Sequence, residues 1–130
     1  MLPFVYVFGR TLFAVSYFGA NVYPENVTVG LERPDIAAWV TGKFVLWTEE
    51  DADRDARLRI AVELAPGESA SSERADAIAE SVTTALRRLN SEFANYVPAD
   101  RQTPRVDLRP AGDPELFPPG VKHRYTRQAP

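Results

Sequence analysis

The spacing of apolar residues changes along this chain, and each change predicts an element. From Leu58 the alternation is strict: Leu58, Ile60, Val62 and Leu64 fall on one side, Arg57, Arg59, Ala61 and Glu63 on the other, which predicts a half-buried strand. Its simplest antiparallel partner is Phe44 to Trp47, across the charged connection Glu49 to Arg57. Further on, the period lengthens. Ile78, Val82, Leu86, Leu89 and Phe93 form the apolar stripe of one long amphipathic helix, capped by Ser71 or Ser72, acidic in its first turn at Glu73 and Asp76, and ended by Pro98.

The runs Phe4 to Phe8 and Phe13 to Phe18 are aromatic and β-branched. They are closed by Gly9 and Gly19, and each predicts a short strand, the first equally an extended linker. Pro24 then suits the first turn of a helix, with Glu25 near its positive end and Val27 and Leu31 on one face, and Pro34 is expected to stop it. Ile36 to Trp47 is apolar except at Thr41-Gly42-Lys43, so it predicts one strand with a glycine bulge or two short pieces. Val106 and Leu108 mark a last short strand between Pro104 and Pro110, and the remainder is loop-like. The order strand, helix, strand, strand, helix, strand predicts an α+β fold, a ferredoxin-like split β-α-β layer with a proline-rich C-terminal tail.

Composition narrows the function classes. The 130 residues fit one domain, and the net charge of −3 argues against nucleic acid as a partner. Residues 101–130 nevertheless hold six basic side chains against three acidic ones. The absence of cysteine excludes disulfides and thiolate chemistry and fits a reducing cytoplasm. No apolar run approaches the roughly 20 residues of a membrane span, and the apolar opening lacks the basic start of a signal peptide, so no membrane partner is expected. Asn26-Val27-Thr28 matches a glycosylation acceptor, read as chance without a secretion signal.

No self-contained active site emerges. Asp51, Asp53 and Asp55 have the spacing of the first calcium ligands of an EF-hand loop. Ala56 and Val62, however, stand where that loop needs glycine and a bidentate glutamate, so a solvated loop is expected and no metal site. His123 is the single histidine, which leaves zinc sites and histidine-based triads without support. Phosphate-binding glycine motifs and nucleophile elbows are absent. What remains is Lys122, one of two lysines, in Pro118-Pro119-Gly120-Val121-Lys122-His123-Arg124. A compact ammonium there would stabilise charge at a carboxylate and an α-phosphate, the alternative being a plain basic tail.

Taken together, Gly9-Arg10, the segment Val15 to Pro24, the helix end Leu89-Asn90-Ser91-Glu92-Phe93 and the tail around Lys122 give the chain a family likeness. It resembles the C-terminal domain of class I adenylate-forming enzymes, most nearly the phenylacetate-CoA ligase branch, which is related to the auxin-conjugating amido synthetases. The resemblance implies a mobile lid. A large N-terminal adenylation domain would activate a small-molecule carboxylate with ATP and magnesium, and the lid would then swing so that coenzyme A can attack the acyl-adenylate. Gly9, Arg10 and Leu12 match the hinge, with Leu12 in the place of an aspartate. Gly19, Asn21 and Tyr23 match the loop lining the acceptor channel, and Lys122 matches the adenylation lysine. Residues 1–12 would be the hinge, 13–110 the lid and 111–130 the tail loop. The domain alone would bind no cofactor and be inactive without its adenylation domain, and dimer formation stays open. The rival from another class is a stand-alone ferredoxin-like binding or oligomerisation module, favoured if no adenylation domain is encoded nearby.

Overall fold

The computed structural model describes residues 14–50, 52, 55–120 and 126. The predicted strand at Phe4 to Phe8 lies outside them. Two short strands, β1 (Val15–Tyr17) and β2 (Ala20–Val22), pair antiparallel, with Tyr17 opposite Ala20. Only Phe18 and Gly19 remain for the turn, and both have positive φ, 52° and 82°. That backbone matches the right-handed twist of the strands it joins. The sequence pattern predicts the first strand but not β2, whose three residues give too short an alternation to register.

Pro24 opens α1 (Pro24–Leu31) as expected. The helix ends at Glu32, whose N–H bonds to the Thr28 carbonyl, before Pro34 is reached. Pro34, expected as a stop, instead starts the single turn α2 (Pro34–Ala37), because a missing N–H costs nothing at the first helical position. Ile36 is therefore buried from a helix, and the strand predicted to begin there begins at Val40.

β3 (Val40–Glu50) pairs antiparallel with β4 (Ala56–Leu64), with Phe44 opposite Val62 and Trp47 opposite Arg59. The register shifts between Val40 and Phe44, where Gly42 has φ 96°, so the glycine bulge is present within one strand. α3 (Ser72–Leu89) follows, and the Ser71 hydroxyl accepts from the Arg74 N–H at 3.1 Å as its cap. The single long helix of the sequence pattern is broken at Asn90 (φ −129°, ψ 98°), and α4 (Ser91–Tyr96) begins immediately after it. Leu89, expected in the apolar stripe, is consequently 46% exposed, while Phe93 reaches the core from the second helix. β5 (Arg105–Arg109) then runs parallel to β4, with Ile60 opposite Val106, because the chain has crossed over through α3 and α4 before returning.

The described chain is thus α+β, with two sheets and four α-helices, consistent with the ferredoxin-like split β-α-β layout. One face of the three-stranded sheet packs Phe44, Leu46, Leu58, Ile60 and Val62 into a core with Ile78, Val82 and Leu86 of α3. On the other face Val45, Trp47 and Ala61 meet Phe117. Ala61 and Glu63, which the alternation puts on the solvent side, are therefore buried: the chain beyond β5 returns across that face.

α1 lies close against α3. A Cβ on Gly30 would sit 2.8 Å from the Val82 Cα, and the Ser81 hydroxyl donates to the Gly30 carbonyl at 2.7 Å. Backbone cannot give way as a flexible side chain can, so Gly30→Ala is expected to cost about 1–3 kcal/mol by overpacking, measured by urea denaturation. An unchanged midpoint would mean that the two helices separate freely.

Candidate functional site

The hairpin turn is a projecting apolar tip. Phe18 is 42% exposed and stacks edge-on against Tyr17, with ring centroids 4.9 Å apart. A Cβ on Gly19 would lie 4.0 Å from a ring carbon of Tyr96, itself 57% exposed at the end of α4. Phe18 holds its left-handed conformation despite a bulky side chain, which costs on the order of 1–2 kcal/mol relative to an ordinary backbone. Such a conformation persists only where its surroundings fix it.

The surroundings are specific. Tyr17 and Ala20 flank the two-residue turn, so the next pair, Ser16 and Asn21, is the non-hydrogen-bonded kind. The N–H and C=O of Asn21 point away from β1 and need other partners. Glu92 Oε1 accepts from the Asn21 N–H at 3.1 Å, and Asn90 Nδ2 donates to the Asn21 carbonyl at 2.8 Å. Asn90, only 7% exposed, uses its remaining groups in the same place: Nδ2 also reaches Asn26 Oδ1 at 3.1 Å, and Oδ1 accepts from the Phe93 N–H at 3.0 Å as the cap of α4. Asn26 Oδ1 in turn accepts from the Tyr23 N–H at 3.3 Å, at the start of α1. On the other strand, the buried Tyr17 hydroxyl donates to the Arg101 carbonyl at 2.8 Å, and burial pushes its phenol above the ordinary value, opposed by the Leu58 backbone and by Arg57 and Arg101.

Of the residues singled out in the sequence, Gly19, Asn21 and Tyr23 are brought together on the tip, the second strand and the helix entry of this one unit. The stretch from Gly19 to Pro24, expected as a loop, contains the strand Ala20–Val22 and the first residue of α1. Asn21 engages through its backbone, not its amide side chain. Gly9, Arg10, Leu12, Lys122 and His123 lie outside the described residues, as do Asp51 and Asp53. Asp55 is paired with Arg101 at 2.7 Å. Among the described residues no group of three or more His, Cys, Asp or Glu could hold a metal ion, and no helix is long and apolar enough to cross a membrane. What the tip presents to its surroundings is the exposed rings of Phe18 and Tyr96.

The segment before Lys122 is held down by a buried carboxylate. Glu63 Oε1 accepts from the Thr41 hydroxyl at 2.8 Å and its Oε2 from the Gly112 N–H at 2.8 Å. Asp113 Oδ2 accepts from the Leu116 N–H at 2.9 Å, and Arg109 joins Asp107, Asp113 and Glu115, its guanidinium pKa raised first of all by the Asp107 hydrogen bond. Phe117 is buried beyond them, and Thr126 makes a parallel bridge to Leu46 on the outer edge of β3. Anchors therefore lie on both sides of the candidate lysine.

Asn90, Glu92, Phe18 and Tyr96 are the residues that sequence reasoning did not assign to the site. Asn90 could have been found: asparagine is a poor helix-interior residue and a good cap, and Asn90-Ser91-Glu92-Phe93 reads equally as the start of a new helix.

No protein-family model matches the chain, and no curated protein sequence does. Among solved structures, a domain of phenylacetate-coenzyme A ligase from Bacteroides vulgatus is similar over 90% of this chain and 93% of that one, with 18% identity and a TM-score of 0.54. The fold is that of a phenylacetate-CoA ligase domain. An acyl-CoA synthetase from Brucella canis aligns with 78% of the chain at 22% identity and a TM-score of 0.48, and the chain spans 16% of that protein's length.

Two measurements check the anchoring. Glu63→Ala leaves the Gly112 N–H and Thr41 hydroxyl without their acceptor and is expected to cost about 1–3 kcal/mol, whereas Glu63→Gln retains a carbonyl for Gly112 and restores most of it. Equal loss in both variants, by denaturation, would contradict the pairing. For Tyr17, a folded-state pKa above the unfolded one stabilises fully below about pH 10 and is lost as pH rises through the folded value. The parent should thus lose more stability than Tyr17→Phe between about pH 9 and about pH 11.

Proposed function

We propose that this domain is the mobile lid of an ATP-dependent acyl-adenylate-forming ligase that transfers its acyl group to coenzyme A. The observation carrying this is the likeness in fold to a phenylacetate-coenzyme A ligase domain across nearly the whole of both chains. The projecting tip supports it: a glycine turn held rigidly out from the core, apolar and without reactive groups, is suited to line another domain's site. Water exclusion and placement of charge are what a closing lid contributes, and neither achieves much without the other half of the site.

In this proposal the adenylation domain holds ATP, magnesium and the small carboxylic acid, and Gly9, Arg10 and Leu12 form the hinge to it. Gly19, Asn21 and Tyr23 belong to the unit that faces the acceptor channel. Lys122 delivers a compact positive charge to the carboxylate and α-phosphate during adenylate formation. Magnesium supplies charge neutralisation at the phosphates when bound, from residues outside this chain's described ones.

With the chain joined to its adenylation domain, Lys122→Ala is expected to lower adenylate formation by about 10²–10³-fold, the usual worth of one stabilising group at developing charge. Transfer from a supplied acyl-adenylate to coenzyme A should stay within about twofold of the parent. Equal loss of both half-reactions would overturn the assignment of Lys122. Full adenylation without this domain would overturn the lid itself.

A further inference from the structure

We propose that Asn90 and Glu92 are positioning residues that set the orientation of the Phe18–Gly19 tip for the acyl-transfer step. This rests on the reading of the tip as the acceptor loop, and it concerns side chains outside that loop, Asn90 at the break between α3 and α4 and Glu92 in α4. The starting observation is the geometry of the hairpin. A two-stranded hairpin three residues long is not stable in water by itself, so its angle to the rest of the domain depends on what its outer edge is tied to. That edge offers the N–H and C=O of Asn21, and each is taken by one side chain, Glu92 at 3.1 Å and Asn90 at 2.8 Å.

Both side chains come from the helix break. Were α3 to run on unbroken, Asn90 would stand in a helix interior. The extended backbone at Asn90 is what allows its amide oxygen to cap α4 while its amide nitrogen turns to Asn21 and Asn26. Asn26 continues the line to the Tyr23 N–H, so the strand and the helix following it are fixed by one chain of hydrogen bonds. α4 also carries Tyr96, whose ring lies beside Gly19. A rotation of α4 would therefore move the strand edge and the wall of the tip together. The stretch Asn90 to Tyr96 is the support on which the tip is aimed.

Positioning has a large effect on transfer rates. A displacement of about 1 Å in a group remote from the chemistry can cost about 10²-fold, and a site whose supporting residues are loose loses activity although its contact residues are intact. Folding tolerates the same displacement. Loss of the clamp should therefore separate the two half-reactions and leave the core in place.

Asn90→Asp tests this directly, because aspartate keeps an oxygen to cap α4 but sets a second acceptor oxygen, in place of the donor, against the Asn21 carbonyl and Asn26 Oδ1. Glu92→Ala removes the other bond from a half-buried side chain, and Glu92→Gln keeps the acceptor. In the full chain, amide hydrogen exchange at Gly19, Ala20 and Asn21 is expected to quicken by about tenfold or more in Asn90→Asp and Glu92→Ala, with Val82 and Leu86 unchanged. In the assembled ligase, transfer from a supplied acyl-adenylate to coenzyme A should fall by about tenfold or more in the same two variants. Adenylate formation should hold, and Glu92→Gln should recover most of the transfer. Unaltered exchange at the tip, transfer within about twofold of the parent, or equal loss of both half-reactions would each overturn the proposal. Gly19→Ala separates the two ideas: if it leaves transfer intact, the acceptor-loop reading fails, whereas if it blocks transfer and Asn90→Asp does not, only the clamp fails.

Discussion

The side chain of Asn90 satisfies three backbone or amide partners on three elements, and it ties β2, α1 and α4 to one another. Its oxygen starts α4, and its nitrogen holds the carbonyl of β2 and the Asn26 amide of α1. Being 7% exposed, it has little access to water as a substitute. Removing one partner from such a buried polar group leaves the others undersatisfied, which is why a network of this kind fixes one arrangement more sharply than apolar packing does.

Around this junction the two helices and the hairpin are brought into contact by a second, steric device. Gly30 lets α1 approach the Val82 backbone of α3, and the Ser81 hydroxyl bridges to the Gly30 carbonyl across the same gap. Tyr17 ties the opposite strand of the hairpin to the Arg101 carbonyl in the turn beyond α4. The hairpin is thus held on both edges by residues far away in sequence. Its tip is left free, with the aromatic rings of Phe18 and Tyr96 outward. Strain at Phe18 is stored at the exposed end of the hairpin, and the tied base is what keeps it there.

The far side of the sheet follows a different principle. Glu63 is a carboxylate in a strand whose pattern marks it for solvent, and it is buried because the chain after β5 folds back over it. Its two oxygens meet the Thr41 hydroxyl of β3 and the Gly112 N–H of the returning segment. Phe117 then covers Val45, Trp47 and Ala61. The second face is closed by a few anchors instead of by a helix, and the segment bearing Lys122 begins directly beyond them.

The amino-acid sequence determined what local periodicity and capping chemistry can express. The strand from Leu58 to Leu64, its partner at Phe44 to Trp47 and the last strand at Val106 and Leu108 were legible, and the Gly42 bulge and the Ser71 cap were each one of two alternatives, since each rests on neighbours a few residues apart. Tertiary structure decided the rest. Asn90 breaks the long helix because its side chain has better partners on β2 and α1 than a helix interior would give it. Pro34 starts a turn because Ile36 has a core to enter. Glu63 turns inward because Gly112 arrives from 49 residues away to meet it. Each of these outcomes is set by a contact between distant segments, and no period along the chain records such a contact.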